Sequence, residues 1–94
     1  MIVVRNTFVC KPGSASKLAA QLKEATASVD QLKARILTDL TGDFNRVVME
    51  FEAANFSEFE ARMAEYHADG AFRDKMKGYT DHYLTGTREI FQIN

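Results

Sequence analysis

QLKARILTDLTGDFNRVVMEFEA, residues 31–53, places Val, Ile, Leu, Phe and Met at every second position on both sides of Thr41-Gly42-Asp43. A period of two belongs to a β-strand, whose successive side chains point to opposite faces, and a glycine between two such runs supplies the positive φ of a short reversal. The stretch from Gln31 to Ala53 therefore reads as two strands joined by a tight turn, a hairpin at the centre of a sheet with which the rest of the chain pairs or packs.

Toward the N-terminus, Ile2 to Lys11 alternates in the same way, with Ile2, Val4, Asn6, Phe8 and Cys10 on one side and Val3, Arg5, Thr7, Val9 and Lys11 on the other. Pro12-Gly13-Ser14 ends this strand, and Ser14 or Ser16 can cap the helix that follows, in which Leu18, Leu22, Ala25 and Val29 form one apolar stripe. Beyond the hairpin, Ser57-Glu58-Phe59-Glu60 has the form of a capping box. It opens a second helix with the stripe Phe59, Met63 and Tyr66, which should stop near Gly70, and one or two more helical turns carry Phe72, Met76 and Tyr79. His82 to Asn94 returns to alternation as a fourth strand, in which Gly86 marks either a bulge or a close approach. The order βαββαβ, with right-handed crossovers, predicts an α+β ferredoxin-like sandwich: a four-stranded antiparallel sheet with its helices on one face.

Ninety-four residues suffice for one domain, spanning 1–94. A hydrophobic share of 46% and a charged share of 27% are those of a globular protein, and a net charge of -1 offers no field for nucleic acid or an anionic membrane. The opening MIVVRNTFVCK reads as neither a signal peptide nor a membrane span, and the lone Cys10 fits a reducing compartment, so a cytoplasmic location is expected.

The pattern assigns Val4, Asn6, Phe8, Ala34, Ile36, Leu40, Val47, Met49 and Phe51 to the helix side of the sheet. The opposite side receives Val3, Arg5, Val9, Lys33, Arg35, Leu37, Asp39, Arg46, Val48 and Glu50, together with Glu89, Phe91 and Ile93. So many large apolar groups among charges of both signs predict a homodimer formed face to face, with Arg5, Arg35, Arg46 and Glu50 at its interface; a solvated sheet face is the alternative. A bulge at Gly86 would exchange which of Arg88 and Glu89 faces the helices, so both assignments stay open.

Chemistry is thinly signalled. His67, Asp69 and His82 are the one candidate grouping for a metal, but their spacing matches no ligand pattern, and neither a metal nor a cofactor is expected. Cys10 beside Lys11 has no neighbouring base to make it a nucleophile. His67 near the end of the second helix suits the helix dipole. Tyr66, Phe72, Met76, Tyr79 and Tyr83 read as core that would also line any pocket between helices and sheet.

Three segments carry a resemblance: VVRNTFVCKPG running into the first helix, VVMEFE followed by FSEFEARM, and the closing TGTREIFQI. In this order and spacing the chain resembles, over nearly its whole length, the dimeric α/β-barrel superfamily, in which two ferredoxin-like subunits press their sheets together into a barrel. That superfamily includes cofactor-free quinol or antibiotic-biosynthesis monooxygenases, haem-degrading monooxygenases and NIPSNAP-like proteins. The resemblance implies that Asn6, alone among these residues, matches the pocket asparagine of the monooxygenases; in an enzyme reading Asn6 would orient the substrate oxygen and Tyr66, His67 or Tyr79 would assist proton transfer. Phe8, Met63, Phe72, Met76, Tyr79 and Tyr83 would then bind substrate. Read without it, Asn6 is a buried amide satisfied by its neighbours. Haem degradation is not implied, because the chain has no tryptophan and Met63 and Met76 occupy the matching regions. The implied protein is a homodimer binding a small aromatic or quinone-like molecule, which it either only holds or turns over by cofactor-free monooxygenation. A structural or regulatory dimer with a filled core is the alternative, and an isomerase or lyase of the same fold a third reading.

Overall fold

A computed structural model describes residues 1–29 and 32–94; Gln31, where the sequence reading begins its hairpin, lies outside them. Strand β1 (Ile2–Cys10) leads to helix α1 (Ala15–Ala27), strands β2 (Arg35–Thr38) and β3 (Arg46–Ala53), and helices α2 (Phe56–Ala68) and α3 (Gly70–Lys75). A 3-10 turn (Tyr79–His82) then enters strand β4 (Tyr83–Gln92). The strands lie in the order β2-β3-β1-β4, every neighbouring pair antiparallel. This is the ferredoxin-like α+β sandwich, with α3 and the 3-10 turn added to the second crossover. Among the described residues no helix is long and apolar enough to cross a membrane.

The hairpin differs from its sequence reading. Its first strand is short and lies at the sheet edge, and the centre belongs to β1 and β3. No tight turn joins β2 to β3; the loop 39–45 does, with Gly42 at φ +95° and Asn45 at φ +62°. Side chains hold this loop: Asp39 Oδ1 accepts the Arg46 amide N–H at 2.8 Å, and the Arg46 guanidinium donates to the carbonyls of Asp43 and Thr41. Leu40, assigned to the helix side, therefore stands in the loop and is 97% exposed.

The helix ends show the same kind of shift. Asn55, extended at φ -164°, caps α2 by accepting the Glu58 N–H at 2.9 Å, and Glu58 Oε2 accepts the Ala54 N–H at 2.9 Å. The box thus begins at Asn55 and not at Ser57, because an asparagine oxygen caps as well as a hydroxyl and stands at the last extended residue. Ser14 occupies the cap position of α1 but makes no side-chain cap bond, and Val29 lies beyond the helix. The fourth strand starts at Tyr83, leaving His82 in the 3-10 turn.

In β4 the register shifts between Val9↔Thr85 and Cys10↔Tyr83, so Leu84 is the extra residue. Gly86 lies in regular register opposite Phe8, and a Cβ there would stand 3.1 Å from the Thr7 carbonyl oxygen. Gly86 is therefore the site of a close approach, not of the bulge. With the bulge upstream, Arg88 pairs with Asn6 on the helix side and Glu89 with Arg5 on the other.

The helix-side core has two parts. Ile2, Val4, Phe51 and Ala53 meet Leu32 and the α2 residues Phe59 and Tyr66; Cys10 and Val47 meet Leu18 and Leu22 of α1. Half-buried Met49 packs on both. On the other face Glu50 is buried between two cations, accepting from Arg5 Nε and Arg35 Nη2 at 2.6 Å each, while the Arg5 guanidinium lies 5.2 Å from the Phe91 ring centroid. Leu37, Phe91 and Ile93 remain 40%, 40% and 42% exposed.

The hydrogen bond from Arg35, followed by that from Arg5, holds the Glu50 carboxyl below the usual glutamate range against the opposing effect of burial. A native pKa depressed in this way adds stability above the unfolded-state value of about 4.3, and that stability is lost as pH falls through the native value. Glu50→Gln is expected to cost about 1–2 kcal/mol at neutral pH, a modest figure because Arg35 is largely exposed. It should also flatten the acid loss of stability, as read from urea unfolding at fixed protein concentration over a pH series. A variant with the parent's pH profile would show that the cluster contributes nothing.

Candidate functional site

Between the two core clusters the sheet and helices border a cavity of about 640 Å³ that opens to the surface, large enough for a ligand of one or two rings. Strand residues Asn6, Phe8, Met49, Gly86 and Arg88 line its sheet side; Leu22, Met63, Tyr66, His67, Phe72 and Arg73 come from the helices, and Met76, Tyr79 and Tyr83 from the chain after α3. The three residues taken as catalytic, Asn6, Tyr66 and His67, and the six taken as substrate-binding, Phe8, Met63, Phe72, Met76, Tyr79 and Tyr83, all border this one space. The aromatic stripe thus packs against itself and still leaves an opening: ring centroids are 5.5 Å apart for Tyr66 and Phe72, 5.1 Å for Phe8 and Tyr83, and 5.9 Å for Tyr79 and Tyr83.

Gln21 of α1 fixes one wall. Its Nε2 donates to the carbonyls of Lys75 and Lys77 at 2.9 Å each, holding the end of α3, and Gly78 at φ +80° then turns the chain into Tyr79. Burial pushes the Tyr66 phenol up; burial, aided by Tyr79, does the same to Tyr83. Both phenols stay protonated at neutral pH and act as hydrogen-bond donors rather than bases.

The polar centre is a cross-strand pair. Arg88 Nε donates to Asn6 Oδ1 at 2.7 Å, and the guanidinium lies 5.4 Å from the Phe59 ring centroid. A guanidinium carries donors only, so the amide must turn its oxygen to Arg88. Its Nδ2, with no hydrogen-bond partner among the described residues, is left as a donor on a side chain that is itself only 6% exposed. Sequence reasoning singled out Asn6 but did not place Arg88, whose side of the sheet depended on where the bulge fell.

The remaining chemical candidates do not converge. The Asp69 carboxylate caps α3 by accepting from the N–H groups of Ala71 and Phe72, His82 sits in the 3-10 turn, and among the described residues no three His, Cys, Asp or Glu side chains gather as metal ligands. Cys10 is buried, which raises its pKa and keeps it a thiol.

Solved structures share this architecture. An uncharacterised NIPSNAP domain protein from Burkholderia xenovorans superposes with a TM-score of 0.87 at 14% identity, over 100% of this chain and 95% of its own. A NIPSNAP family protein from Agrobacterium tumefaciens gives 0.86 at 11% identity, over 99% and 85%. An antibiotic biosynthesis monooxygenase gives 0.74 at 16% identity, over 100% and 99%. No protein-family model matches the chain, and no curated protein matches it. At such identities the likeness establishes the fold, one held in common by NIPSNAP-domain proteins and an antibiotic biosynthesis monooxygenase, as the sequence resemblance implies.

An amide kept for a ligand should not serve the fold. Asn6→Leu, which removes the amide but also the acceptor of an exposed Arg88 that can turn to water, is expected to leave the urea midpoint unchanged to within the equivalent of about 1 kcal/mol. A larger loss of stability would return Asn6 to the purely structural role.

Proposed function

We propose that the chain is the subunit of a homodimer that holds a small aromatic or quinone-like molecule in the cavity, where a bound phenol or quinol reacts with dioxygen without a cofactor. The observation that carries this reading is the free Nδ2 of Asn6, a donor fixed by Arg88 and aimed from mid-strand into an aromatic, sulfur-lined space. In such surroundings a fixed donor lowers the energy of an oxygen that becomes anionic, and a phenolate is the electron-rich form with which dioxygen reacts. Dioxygen adding to the ring carbon gives a hydroperoxide that leaves a carbonyl on loss of water, and the protons it needs can pass through His67 or the protonated Tyr66. The filled-core alternative fits poorly with an open cleft of about 640 Å³ that reaches Asn6 from the surface.

With 1,4-naphthohydroquinone as the probe, the protein is expected to speed oxygen uptake above the buffer rate, and Asn6→Ala to reduce that excess about a hundredfold. Uptake no faster than in buffer would overturn the oxygenase reading.

Supporting the dimer are Leu37 at one edge of the sheet and Phe91 and Ile93 at the other, all exposed on the face that no helix covers. Leu37→Asp, which puts a charge on the apolar part of that face carried by β2, should turn a dimer into a monomer in sedimentation velocity at micromolar concentration. A variant that sediments as a dimer would exclude this face.

A further inference from the structure

The arginines divide into two groups. Arg5 and Arg35 share Glu50, Arg62 pairs with Glu58, and Arg46 is spent on loop carbonyls. Among the described residues Arg73 and Arg88 have no carboxylate partner, and these two line the cavity. No Asp or Glu stands in the cavity lining, and His67 adds a further basic group. A chain with a net charge of -1 has thus gathered unneutralised cations at this aromatic space.

Arg88 is also held in place. Its Nε is tied to Asn6 Oδ1 and its guanidinium carbon lies 5.4 Å from the Phe59 ring centroid, which leaves Nη1 and Nη2 uncommitted on the same cavity lining as the amide Nδ2. The pair presents two kinds of donor to that space, a guanidinium fork suited to the two oxygens of a carboxylate and a neutral N–H suited to a single oxygen. An aromatic ring bearing a hydroxyl and a carboxylate on adjacent carbons offers the matching oxygens in the matching order. We infer that the cavity is specific for hydroxylated aromatic acids, the carboxylate on Arg88 and the adjacent hydroxyl oxygen on Asn6. This rests on the reading of the cavity as an aromatic site and names the charge its ligand carries.

The test compares two ligands that differ only in the acid group, 1-hydroxy-2-naphthoate and 1-naphthol, by isothermal titration calorimetry. The acid is expected to bind at least about tenfold more tightly, as a charge-assisted pair at a partly exposed arginine allows. In Arg88→Gln that ratio should fall to near one, while circular dichroism confirms the fold. Equal affinities in the parent protein would overturn the acid specificity and leave the aromatic site standing. No binding of either would remove the aromatic site and this inference with it. A ratio that survives Arg88→Gln but collapses in Arg73→Gln would overturn the assignment to Arg88.

Discussion

Asn6 is an amide in the middle of the most enclosed strand of the sheet, and the packing around it follows from that placement. Ile2, Val4 and Cys10, on the same side of β1, are buried among apolar neighbours. An amide cannot be sealed in beside them without partners. The partner the fold supplies is Arg88, which approaches from β4 and carries a charge that must keep contact with water or an anion. The helices therefore close over β1 and β3 above and below Asn6 and leave the space in front of it open. Two half-cores joined through Met49 are the result, and the cavity is the gap between them.

The two faces of the sheet treat the same chemistry in opposite ways. On the open face Glu50 takes up two guanidinium groups and Phe91 lies against one of them, so the cations are spent within the chain. On the helix side Arg88 meets, among the described residues, a neutral amide and an aromatic ring but no carboxylate, and its remaining donors stay available. Strand register alone decides which arginine has which fate, because positions 88 and 89 differ by one step of the pleat.

Alternation carried most of the fold in the sequence: β1, β3 and both long helices lie where the periodicities of Val4, Phe51, Leu18 and Phe59 place them. The candidate site was legible to the same extent, since an aromatic and sulfur-rich stripe on one face of a helix has to meet the sheet wherever Asn6 lies. What periodicity cannot see is a competition settled by side-chain bonds. Asp39 and Arg46 build a loop where alternation suggested continuous strand, and Asn55 takes the cap that Ser57 appeared to offer. Arg88 stayed hidden for a related reason, since a single extra residue at Leu84 sets the facing of everything after it.

The division of the core has a consequence for how the protein persists in a cell. A molecule seated between the half-cores would supply the contacts that the chain itself omits, acting as a removable piece of the interior. Its binding free energy would add directly to the free energy of folding, growing with the logarithm of its concentration. The occupied protein would then outlast the empty one against unfolding and proteolysis, and the amount of protein would follow the supply of its ligand without any separate device to sense it.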